Sequence, residues 1–231
     1  MSGCTDCSKK GGCEVRKGEE REVLAELLPR LYPTGRWGEP DDAARLGGSL
    51  SESAIRRLAR QGAEILQART YVQIGGPDEP CDYVYALCVG RDPGLWELGS
   101  ADAIRMADGD RIREKYLRAV ISQMAPVATL QEVSFELDRD GEVGTLTEKP
   151  RTGVYDPILL ARTQRFIDLL VGSGLTYFDF GMLTKPASRY APGMDDHGYT
   201  AVWGQPAQVV NWLFYPQPPN TATALCLPWA A

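Results

Sequence analysis

Histidine is nearly missing: the chain of 231 residues has one, His197. A single imidazole removes most hydrolytic chemistry that depends on a histidine base, because such a site would have to be built around His197. Long apolar runs are absent too. Stretches such as Ile158–Ala161 and Trp212–Tyr215 fall far short of the ~20 residues that span a bilayer, so no membrane span is expected. Glycine-rich phosphate loops are not found: no G-x-x-x-x-G-K-[ST] occurs, and Gly75-Gly76 lacks the third glycine and the following helix of a dinucleotide fingerprint. No G-x-S-x-G elbow is present. Basic charge is in deficit, with 25 lysines and arginines against 31 acids and a net charge of −6. That balance argues against nucleic-acid partners. The chain does not open on a charged stretch followed by an apolar one, so no secretory signal is expected and the expected setting is the reducing cytoplasm.

Six cysteines are present, unevenly placed. Cys4, Cys7 and Cys13 fall at the N-terminus, whereas Cys81, Cys88 and Cys226 are scattered. Disulfides need an oxidising compartment. A thioredoxin-type Cys-x-x-Cys needs a preceding strand, for which Met1–Gly3 leave no room. Metal ligation needs only a short gap that turns two thiolates onto one centre and a spacer that brings in a third. Gly11 and Gly12 supply backbone freedom just before Cys13. Lys9, Lys10, Arg16 and Lys17 place positive charge around a centre that is anionic when four thiolates hold a four-iron cluster. An iron–sulfur cluster, 4Fe-4S by preference, is the expected cofactor, and zinc is the alternative.

The stretch from Cys4 to Val15, with spacing C-x2-C-x5-C, a Gly-Gly within the spacer and an acidic then an aliphatic residue after Cys13, resembles the cluster loop of the large iron–sulfur subunit of respiratory complex I and of iron-only hydrogenases. The resemblance covers residues 4–15 alone. It implies that Cys4, Cys7 and Cys13 hold a four-iron cluster used in electron transfer. In that family an upstream histidine completes the set, and its position would precede Met1, so a fourth ligand is sought elsewhere. Cys81 is the first choice, because it ends the turn-rich segment Gly75–Cys81. His197 is the remaining candidate. Cys88 and Cys226 stand in apolar runs and read as packing residues.

Along the chain, Val23, Leu24, Leu27, Leu28 and Leu31 predict a helix over about residues 18–31 that Pro33 stops. Residues 33–48 read as a connector, which divides the chain into a cysteine-rich metal-binding arm over 1–48 and an α+β domain over 49–231. A helix is expected from Ser51, with Ile55, Leu58, Ala59, Gly62, Ile65 and Leu66 on one face, followed by strands over 70–74 and 83–89. Ile112, Tyr116, Val120 and Met124, four apart, predict a helix over 110–124. A hairpin over 127–137 and 143–147 turns on Asp138-Arg139-Asp140-Gly141. Pro157 opens a fourth helix, which Gly172-Ser173-Gly174 closes. A strand is expected over 175–180, a long loop over 182–204, and closing strands over 209–215 and 223–227. The expected fold class is α+β, with a largely antiparallel sheet and about four packed helices behind an irregular N-terminal arm.

The leading functional expectation is an iron–sulfur protein acting as an electron-transfer or accessory subunit of a cytoplasmic redox complex. Its partner would be a larger redox enzyme or an electron-carrier protein, and self-association stays open. The alternatives are a zinc-stabilised, non-catalytic interaction module and an enzyme built on the loop around His197, with Ser188, Asp195 and Asp196 near it in sequence. The aromatic residues Tyr190, Tyr199 and Trp203 suit either a pocket or an interface.

Overall fold

The computed structural model describes residues 20–41, 50–68, 70–74, 81–87, 111–140, 143–150, 154, 157–214 and 223–228. It is an α+β structure with helical layers on two faces of one sheet. The strands are β1 (Thr70–Gln73), β2 (Cys81–Leu87), β3 (Arg111–Ser122), β4 (Val127–Asp140), β5 (Val143–Pro150), β6 (Thr176–Tyr177) and β7 (Thr223–Pro228). They are ordered β1-β2-β3-β4-β5-β7, with β6 added to β4. β4 is the hub. One of its edges pairs antiparallel with β3 from Ala128 to Asp138. The other edge is divided, taking β5 antiparallel from Val133 onward and β6 parallel at Val127 and Ala128. The sheet is mixed: β6 runs parallel to β4 over two residue pairs, and the other five pairings are antiparallel.

Alternation along β3 and β4 separates two cores. Leu117, Ala119, Ile121, Ala128 and Leu130 face one way and pack with α2 (Glu52–Leu66) and α3 (Pro157–Gly172). Val120 and Val127 belong to a second core with Leu24, Leu28 and Leu31 of helix α1, residues 20–31, and with Phe178, Tyr199, Trp212 and Phe214. On that second face Arg118 is buried and donates from Nη2 to Gln131 Oε1 across the β3–β4 ladder at 2.9 Å.

α2 forms as its sequence predicts. Ser51 caps it, accepting from the Ala54 amide at 3.3 Å. Ile55, Leu58, Ala59, Gly62 and Leu66 are buried, whereas Ile65 is 47% exposed and leaves the predicted face. Gly62 allows a close approach: a Cβ there would stand 3.2 Å from Thr70 Cγ2 and 3.3 Å from Leu169 Cδ2. α3 ends where expected, with Leu175 N–H returning to the Leu170 carbonyl at 3.2 Å past Gly174, at φ +87°.

Three expectations are corrected. The helix expected over 110–124 is strand β3. Its spacing of four is an even number, so Ile112, Tyr116 and Val120 share one side of a strand as readily as one side of a helix. That change also lowers the number of packed long helices to three among the described residues, α1, α2 and α3. The strand expected over 209–215 is the short helix α6 (Val209–Leu213). All five of its residues are buried, so no periodicity distinguishes the alternatives. The loop expected over 182–204 holds a 3-10 turn (Ala187–Arg189) and helix α5 (His197–Trp203), while α4 (Phe180–Leu183) begins within the strand expected over 175–180. Among the described residues no helix is long and apolar enough to cross a membrane.

Candidate functional site

A half-open groove of about 580 Å³ lies where α1, the end of α3 and β6 meet. Leu24, Leu28 and Leu31 turn α1 toward the core, which leaves Val23 off that stripe and at the groove. Ile167 and Val171 come from α3. The tight turn at Gly174 then brings Leu175 and β6 beneath them. Val23 is 39% and Val171 52% exposed, so large apolar side chains meet water here. Two carboxylates join this apolar surface, Glu20 from α1 and Asp168 from α3. Among the described residues no lysine or arginine lines the groove. Asp168 accepts from Gln164 Nε2 at 2.8 Å. The field of Glu20 extends to Tyr190, whose phenol is pushed up by burial, drawn down by Arg189 and Arg21, and pushed up further by Glu20.

A second cluster forms around α5. Residues 35–37 are joined to 193–195: Asp195 N–H donates to the Gly35 carbonyl at 2.6 Å, and Trp37 N–H to the Asp195 carbonyl at 3.0 Å. Gly35 sits at φ +69°, and a Cβ on it would meet the Gly193 oxygen at 2.7 Å. Trp37 is edge-on to Tyr199, with centroids 5.1 Å apart, and Tyr199 lies 6.3 Å from Trp203. The Tyr199 hydroxyl is buried and has no hydrogen-bond partner among the described residues, and burial pushes its pKa up to about 12. The neighbouring carboxylates are engaged by the backbone. Asp195 Oδ1 accepts from His197 N–H at 2.9 Å, and Asp196 Oδ2 from Ala207 N–H at 2.8 Å. His197 and Ser188 are exposed. Among the described residues no hydrogen bond joins the His197 ring to Ser188, Asp195 or Asp196, so these residues are not assembled as nucleophile, base and orienter.

Cys4, Cys7 and Cys13, with Lys9 and Lys10, lie outside the described residues. Cys81 is the first residue of β2, its backbone opposite Ser122 of β3. Cys88 also lies outside the described residues, and Cys226 stands in β7 opposite Thr145. Among the described residues no group of three or more His, Cys, Asp or Glu side chains is placed to hold a metal. The groove leaves no local mark in the sequence, because its two sides, Glu20 and Val23 against Asp168 and Val171, are far apart along the chain. No family model, curated protein or solved structure matches the chain.

Proposed function

We propose that the chain is an iron–sulfur protein serving as an electron-transfer or accessory subunit of a cytoplasmic redox complex. Cys4, Cys7 and Cys13 ligate a 4Fe-4S cluster, and Cys81 is the fourth ligand. The observation that carries this reading is the C-x2-C-x5-C spacing with Gly11-Gly12 inside it and Lys9, Lys10, Arg16 and Lys17 around it. Thiolates at that spacing converge on one centre, while the cations offset its negative charge and raise its potential. The position of Cys81 at the very start of β2 supports its candidacy, since a strand's first residue borders the preceding segment and not the middle of the ladder.

Anaerobic purification followed by iron, sulfide and zinc analysis tests the proposal. The expected result is a brown protein with about four irons and four acid-labile sulfides per chain, which lose their visible absorption when Cys7→Ser is introduced. A colourless protein with one tightly held zinc and no sulfide would overturn it in favour of a zinc-stabilised interaction module.

A further inference from the structure

Between Leu31 and Asp41 the chain leaves the end of α1 and returns to it: Asp41 N–H donates to the Leu31 carbonyl at 2.7 Å. Compact surface loops with adjoining ends frequently carry function, because their span can move while their ends stay fixed. Pro33, Thr34, Arg36, Gly38 and Glu39 of this loop are exposed. Trp37 turns inward among them and packs against the second core, with Gly35 and Gly38 at positive φ on either side of it. Its indole fills a slot with three walls. The ring stands edge-on to Tyr199, centroids 5.1 Å apart. Nε1–H donates to the Asn211 carbonyl of α6 at 3.2 Å. Cε3 closes on Gly198, where an added Cβ would stand 3.9 Å from it. Trp203, 38% exposed and 6.3 Å from Tyr199, continues the aromatic wall to the surface. The indole does not satisfy the slot. The Tyr199 hydroxyl is fully buried and has no hydrogen-bond partner among the described residues. Nor, among them, does the buried Nε1–H of Trp212, the residue after Asn211. Both groups can donate, whereas an indole offers one N–H and no acceptor.

We propose that this slot is a small-molecule site occupied by the chain's own Trp37, and that its ligand is a flat heteroaromatic bearing an N–H donor and a ring-side acceptor. The ligand's ring replaces the indole against Tyr199, and its donor replaces Nε1–H on the Asn211 carbonyl. Its acceptor takes the Tyr199 hydroxyl that Trp37 leaves unused. A buried donor without a partner costs free energy that an acceptor recovers, and a site built around such a donor rejects an analogue lacking the acceptor. That difference lets a free ligand displace a tethered side chain. The loop is then a lid that closes the slot with its own tryptophan, and apparent affinity falls by the fraction of chains in which Trp37 is in place. The site holds whether or not the chain carries a cluster.

The test titrates the full chain with two probes by calorimetry: benzimidazole, which has both an N–H donor and a ring nitrogen acceptor, and indole, which has the donor alone. Trp37→Ala empties the slot and is expected to tighten benzimidazole binding about tenfold or more. In that variant benzimidazole is expected to bind about tenfold more tightly than indole, and adding Tyr199→Phe should erase the preference. Equal affinity for the two probes, a preference that survives Tyr199→Phe, or no gain from Trp37→Ala in a chain that still unfolds cooperatively would overturn the proposal. Amide hydrogen exchange on the native chain tests the lid without any substitution. The Trp37 amide, which donates to the Asp195 carbonyl, is expected to exchange by a local opening at least about a hundredfold faster than the Val120 amide in β3. Exchange of the two amides at one rate would mean that Trp37 leaves the slot only when the whole protein unfolds, and would overturn the proposal too.

Discussion

Tyr32 and Trp212 make a double contact. The Tyr32 hydroxyl donates to the Trp212 carbonyl at 2.6 Å, and the two rings stand edge to face, centroids 4.8 Å apart with 88° between their planes. This contact fastens the end of α1 to α6 inside the second core. Tyr32→Phe keeps the ring contact and removes the donor. It is expected to cost about 1–3 kcal/mol, because a buried carbonyl loses a partner. Urea denaturation with an unchanged m-value reads that loss.

Gly35 and Gly38 both have positive φ, +69° and +84°, yet they should respond differently to alanine. Gly38→Ala meets no atom within 4 Å and is expected to cost about 1–2 kcal/mol from backbone strain alone. Gly35→Ala adds a clash with the Gly193 carbonyl oxygen at 2.7 Å and should cost more. Because the joined segments carry Trp37 against Tyr199, Gly35→Ala should also perturb near-UV circular dichroism, and Gly38→Ala should not.

Tyr199 makes stability depend on alkaline pH. Burial holds its folded pKa at about 12, above the ordinary tyrosine value of about 10, so between those values the unfolded chain releases a proton that the folded chain keeps. The unfolded state then binds fewer protons, and stability falls as pH rises. Its contribution is complete below about pH 10 and is lost on the way to pH 12. Tyr199→Phe should flatten this part of the stability profile. At neutral pH the same change should cost little or stabilise, because it removes a buried hydroxyl that has no partner among the described residues.

Ser51 is the side-chain cap of α2. Ser51→Ala should cost about 1 kcal/mol, and Ser51→Asp should retain most of the stability. Thermal melts of the two variants check the ranking.

What could be read from the sequence followed the strength of local signals. α2 starts at Ser51 with six residues at helical spacing, all but Ile65 buried, and α3 opens on Pro157 and closes at Gly174, so both are legible. The hairpin of β4 and β5 is legible but its turn is not, because Asp138, Arg139 and Asp140 pair in the ladder with Thr145, Gly144 and Val143. β3 was misread because Ile112, Tyr116 and Val120 fit two periods at once, and only their pairing across to β4 decides between them. α6 was misread because burial on every side leaves no pattern. The cysteine loop is visible as spacing alone. The groove is a product of tertiary packing, and neither Val23 nor Val171 announces the other.

The Tyr32–Trp212 contact has a consequence for biosynthesis. The two residues are 180 positions apart, and a ribosome adding ~5–20 residues per second needs about 10–40 s to travel between them. Throughout that interval Leu24, Leu28 and Leu31 have been made but Trp212 and Phe214, which complete their core, have not. Helix α1 must therefore wait for the short helix α6 to seal its apolar stripe. Nascent chains arrested before residue 209 should leave α1 open to proteolysis, and release of the finished chain should close it.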